Sequence, residues 1–161
     1  MKYQTIKIKK YSDVVEEYPA AAAFYPGSLI EFTTNLNVRV HATATSNVLP
    51  MFALEDELQG KGIDDAFAAG DLVQCWTPNR GDVVLAILAD GQDVGEGAFL
   101  ESNGYGYLQA HVADTASQDV IRYSNPIVGI AMEEMDASAD SSGQDLPGGL
   151  GANKRIRVKI L

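Results

Sequence analysis

Along much of the chain apolar residues recur at every second position. Leu36, Val38, Val40 and Ala42 alternate with Asn37, Arg39, His41 and Thr43, the period of a strand with one buried face. Ile156, Val158 and Ile160 alternate in the same way with Arg155, Arg157 and Lys159. Leu72 to Thr77 predicts another strand, Asn79 to Asp82 a turn, and Val83 to Leu88, aliphatic on both faces, a buried central strand. Asp90-Gly91 and Asn103-Gly104 are hairpin signals, and Gly95 and Gly97 between them predict a bulged or sharply turning strand carrying Val94, Phe99 and Leu100. Leu49 to Leu54 is a short apolar run followed by a solvated Glu55-Asp56-Glu57, the Gly60-Lys61-Gly62 loop, and a helical turn over 64–69 ended by Gly70. Pro126 to Met135 completes the apolar strands. The stretch 136–153, rich in Ser, Gly and Asp, predicts an exposed mobile loop. The sum is a mainly β domain over 26–161, a small barrel or sandwich of short strands with little helix.

The first 25 residues follow a different pattern. Ile6 and Ile8 alternate weakly, as in an edge strand. Ser12-Asp13 then caps a short helix through Glu17 that stops at Tyr18-Pro19, and Ala20 to Ala23 are too small to build a core. This predicts an extended N-terminal arm that packs against something else.

Composition narrows the function classes. Lys and Arg total 12 against 22 Asp and Glu, a net charge of -10, which disfavours nucleic acid as a partner. The single cysteine, Cys75, permits no internal disulfide. No apolar run is long enough to span a bilayer and no apolar core follows the charged N-terminus, so the expectation is a soluble protein without membrane partner or secretory signal, folded in a reducing cytoplasm.

Catalytic chemistry finds little support in the pattern. His41 lies on the polar side of its predicted strand, His111 reads as a surface residue, and Cys75 beside Trp76 reads as a small buried hydrophobe. The serines lack a nucleophile-elbow frame. Two histidines and one distant cysteine do not make a zinc spacing, and Asp64-Asp65 and Asp90 to Asp93 lack EF-hand spacing. No catalytic residue, metal or cofactor is expected. The glycines at 91–97 loosely resemble the hairpins of biotinyl and lipoyl carriers, but no lysine stands between Lys61 and Lys154 to carry the group. Trp76, Tyr105 and Tyr107, near glycine-rich turns, define an alternative: a carbohydrate-binding head appendage.

The run from Phe52 to Asp71, FALEDELQGKGIDDAFAAGD, resembles a segment of small tailed-phage capsid proteins. Gly81 to Val84, Leu100 to Gly104, Val128 to Glu133 and Arg155 to Val158 extend the likeness, which runs from about Pro26 to the C-terminus. Together they resemble the bacteriophage capsid cement, or head decoration, family, similar in role to the lambda head decoration protein. That resemblance implies a β-tulip-like or small-barrel fold on the outer surface of an icosahedral head. It also implies the major capsid protein as partner, homotrimers at three-fold or quasi-three-fold sites, and assembly in the host cytoplasm. The expected contact residues are Tyr3, Ile6, Ile8, Tyr11, Tyr18, Phe24 and Tyr25 of the arm, with Lys61, Ile63 and Phe67 of the 60–67 loop, since aromatic anchors bury much area with few rotors.

Overall fold

The computed structural model describes residues 6–9, 15–112, 126–138 and 154–161. They form strands β1 (Lys7–Lys9), β2 (Val15–Pro19), β3 (Ile30–Phe32), β4 (Val38–Val40), β5 (Phe52–Ala53), β6 (Leu72–Trp76), β7 (Val83–Leu88), β8 (Asp93–Val94), β9 (Phe99–Ser102), β10 (Leu108–Ala110), β11 (Ile127–Ala131), β12 (Met135–Asp136) and β13 (Lys154–Ile160). One 3-10 turn, Glu57–Gln59, is the helix among them. The fold is mainly β, as the periodicity predicts.

Strand β7 organises the molecule. All six of its residues are buried, and β13 pairs with it antiparallel along its whole length, from Lys154 opposite Leu88 to Lys159 opposite Val83. Its other edge is shared among three segments. The Leu85 amide donates to Ile6 O, just ahead of β1, the Ile87 amide to Gly27 O, and the Ala89 amide, just past β7, to Leu108 O of β10. The ring β7–β10–β9–β11–β13 then returns to β7, closing a five-stranded, barrel-like sheet with β1 attached outside it. Closure pairs edges that an open sheet leaves exposed. Gly27 fits the seam because its φ is +88° and a Cβ there would stand 2.9 Å from Leu85 O.

Outside the ring lie the three-stranded sheet β2–β6–β5, the hairpin β3–β4 and the ribbon β8–β12. β5 and β6 of the three-stranded sheet send apolar side chains to both faces, and the pleat sorts them into two cores. Phe52, Leu54 and Trp76 enter the main core with Val84, Leu100, Leu108, Val128 and Val158. Met51, Ala53, Val73 and Cys75 face the other way, into a smaller core with Ala20, Phe24, Ile30, Val38 and Phe67.

Several local expectations change. Val15–Pro19 is a strand paired with β6 rather than the end of a capped helix, and Ala20 and Phe24 are core residues, so residues 15–25 belong to the folded body. The 64–69 segment makes no helix: Phe67 bridges to Phe24. Asp90-Gly91 does not close a β7–β8 hairpin, because β8 pairs with β12. The expected 36–43 strand shortens to Val38–Val40, with Leu36 at the hairpin tip (φ +56°) and largely exposed. Glu55 and Asp56, read as solvated, are buried. Glu55 Oε2 accepts the Ile6 amide at 3.0 Å, and Asp56 caps the 3-10 turn by accepting from the Gln59 amide. The arm residues 1–5 and 10–14, with most of the 136–153 loop, lie outside the described residues.

Candidate functional site

Among the described residues, a buried polar arrangement lies where the β3–β4 hairpin meets the barrel. The turn 103–107 joins β9 to β10 and runs beneath the hairpin. Gly106 donates to His41 O, the Leu29 amide donates to Gly106 O, and the Thr45 amide donates to Ser102 O. Backbone approaches this close require glycine: a Cβ on Gly106 would stand 2.7 Å from Val40 Cβ, and one on Gly104 2.8 Å from Ala44 N.

His41 is 3% exposed, contrary to its reading as a surface residue. The apolar phase reverses after Val40, because the His41 amide and carbonyl pair inward with Leu29 and Gly106. Its Nδ1 lies 2.7 Å from Ser102 Oγ, and its Nε2 lies 3.7 Å from Glu31 Oε2. Arg39 holds the other carboxylate oxygen of Glu31 at 2.8 Å. Carboxylate, imidazole and hydroxyl in a row have the composition of a nucleophilic relay. The geometry differs: Ser102 is 0% exposed, and its Oγ already accepts the Gly104 amide at 3.1 Å. A nucleophile must reach its substrate, so this row, as built, ties the hairpin to the barrel. The adjoining groove, about 110 Å³, is lined by Glu31 and His41 with Phe32, Leu49 and Met51 among others.

The second histidine has its own partner. His111 Nδ1 sits 2.6 Å from Glu101 Oε2, and Gln109 Nε2 donates to the other Glu101 oxygen at 3.0 Å. Glu101 itself is buried within β9. Among the described residues no three His, Cys, Asp or Glu side chains converge as a metal-holding group, and no helix is long and apolar enough to cross a membrane.

Cys75 packs in the smaller core with its Sγ donating to Val73 O, and burial pushes its thiol up from 9.0 to about 12. The native thiol is therefore expected to resist alkylation at pH 8 and to react once urea unfolds the chain, which thiol labelling followed by mass measurement reads directly. Because the folded value is the higher one, this group's contribution to stability is complete below pH 9.0 and is lost as pH rises toward 12.

The expected contact residues divide by position. Ile6, Phe24, Ile63 and Phe67 are enclosed in this chain's own cores, so none of the four side chains faces outward. Ile8 is half-buried against the main core, and Tyr18 packs edge-on against Phe32 with centroids 4.8 Å apart. Tyr25 is half-buried. Tyr3 and Tyr11 lie outside the described residues. Lys61 is half-buried, 3.4 Å from Asp71 and 6.0 Å from the Phe67 ring centroid. The Ala68 amide, with Lys61 assisting, holds the Asp71 carboxyl below the usual carboxylate range.

Sequence reasoning missed Arg155, which organises the 60–67 loop. From β13 its Nη1 donates to Asp64 Oδ1 at 2.7 Å, and its Nη2 donates to the Ile63 and Pro26 carbonyls. The alternation of β13 placed Arg155 on the polar face, and nothing local announced a partner more than ninety positions away. Of the three residues behind the carbohydrate-binding alternative, Trp76 is fully buried, Tyr107 is half-buried, and Tyr105, at 73%, is exposed. No protein-family model matches the chain, and no curated protein sequence matches it.

Proposed function

We propose that this chain is a capsid decoration protein. It binds the outer surface of an icosahedral phage head as homotrimers at three-fold or quasi-three-fold sites, contacts the major capsid protein and stabilises the shell. The observation that carries the reading is the FALEDELQGKGIDDAFAAGD likeness over residues 52–71. The fold supports it by the way this segment is held. Its first residues are core strand, Arg155 pins Ile63 and Asp64, and the run 57–60 between them stands exposed on a fixed base. A rigid exposed run loses little entropy on docking.

The net charge of -10 suits an outer surface better than contact with packaged DNA. The closed β ring with added short sheets supports the reading, since the likeness implies a β-tulip-like or small-barrel fold. Lys61, Tyr18, Tyr25 and Ile8 are the residues of the expected contact set whose described side chains keep some exposure. Many weak copies on one lattice gain avidity.

Purified protein mixed with undecorated heads should bind saturably and raise their resistance to heat and to low salt, with a trimer mass on the particle. Failure to bind any matching head would remove the proposal.

A further inference from the structure

We propose that Asn103-Gly104 is a latent deamidation site that the fold keeps closed, with Ser102 as the positioning residue that restrains the reacting amide. It is the one Asn-Gly pair in the sequence. In such a pair the backbone nitrogen of the glycine attacks Cγ of the asparagine. A new N–Cγ bond forms, the Cγ–Nδ2 bond breaks, and ammonia leaves with the proton given up by the glycine amide. Solvent water then opens the succinimide at either carbonyl to give aspartate or isoaspartate. Glycine favours the reaction because it has no side chain to hinder the approach.

Both requirements of ring closure are blocked here. Closure needs the Gly104 amide to surrender its proton, and that N–H donates to Ser102 Oγ at 3.1 Å, an oxygen fixed in turn by His41 Nδ1 at 2.7 Å. Closure also needs the Asn103 carboxamide to rotate over the Gly104 nitrogen. Its Oδ1 instead accepts the Tyr105 amide at 2.8 Å and the Tyr107 amide at 3.1 Å. The Asn103 amide donates to Tyr107 O at 3.0 Å, which closes the turn from the other side.

The same geometry explains why a labile pair stands there. Position 104 has φ +83° and the Ala44 backbone against it, so it accepts glycine alone. Position 103 must offer a short side-chain acceptor to two amides. The turn requires glycine after a short acceptor side chain, a role Asn fills here, and the Glu31–His41–Ser102 row that docks the hairpin also shields the resulting Asn-Gly pair. This inference concerns the chemical durability of the chain and stands whether or not it decorates a head.

The test is site-resolved peptide mass mapping of the full chain during incubation at mildly alkaline pH, native and in urea. Native Asn103 should convert at least about tenfold more slowly than in the unfolded chain, and Ser102→Ala should raise the native rate about tenfold, the weight of one hydrogen bond. Rates at Asn35, Asn37 and Asn47 should stay unchanged in that variant. Ser102→Cys, close in shape but a weak acceptor, serves as second variant and should fall between the two. Equal rates in native and unfolded chain would overturn the proposal. So would folded Ser102 variants that convert no faster than the parent, or that accelerate every asparagine alike.

Discussion

Gly129→Ala is expected to destabilise the protein by about 4 kcal/mol or more, the range reached when a core position is overfilled and cannot relax. Gly129 lies in β11 between two partners, opposite Ile160 of β13 and Leu100 of β9. A Cβ there would stand 2.5 Å from Lys159 O and 2.6 Å from Val158 Cγ1. The first is backbone and the second belongs to a side chain fully enclosed in the main core, so no rotamer relieves the overlap. The strand would have to leave β13, which opens the ring. Gly95→Ala is the matched control: nothing lies within 4 Å of the added methyl. It should fall within about 0.5 kcal/mol of the parent. Urea denaturation of the three chains decides the matter, and a Gly129→Ala midpoint beside that of the control would show the close approach to be unimportant.

Arg155→Ala should cost about 2 to 3 kcal/mol and free the 60–67 loop. The side chain is 11% exposed and Asp64 28%, so the pair is only partly screened by solvent. Truncation deprives Asp64 of its cation and the Ile63 carbonyl of its donor in one step. Arg155→Lys should recover part of the loss, since a single ammonium cannot reproduce the fork that reaches three oxygens. Limited proteolysis reads the local effect separately from the global one: new cleavage should appear between residues 60 and 71. Unchanged resistance of that stretch would mean that Ile63 and Phe67 hold the loop by packing alone.

What the sequence disclosed tracks how local the cause is. β6, β7 and β13 follow from local pattern: β7 is buried at all six residues, β13 buries every second residue from Ile156 to Ile160, and β6 buries Val73, Cys75 and Trp76. The 103–107 turn follows from its Asn-Gly pair. The misread positions depend on partners far along the chain. Val15–Pro19 has helix-compatible residues and becomes a strand because β6 offers an edge more than fifty residues later. Glu55 looks like part of a solvated acidic run, yet its oxygen receives the Ile6 amide 49 positions away. His41 meets Ser102 across 61 positions. The expected contact residues suffered in the same way: Ile6, Phe24, Ile63 and Phe67 are apolar enough to bind a partner, and this chain's own cores take them first.

The arrangement around β7 has a mechanical meaning. The first and last described strands, β1 and β13, flank β7 on opposite edges, each antiparallel to it and so parallel to one another. Tension drawn between Ile6 and Leu161 therefore slides these strands past β7 in shear, loading their ladder bonds together instead of peeling them one at a time. The β13 interface has six paired positions and the β1 interface two, with an irregular register. Under load the N-terminal strand is the fuse, and it can part while the closed ring keeps its shape.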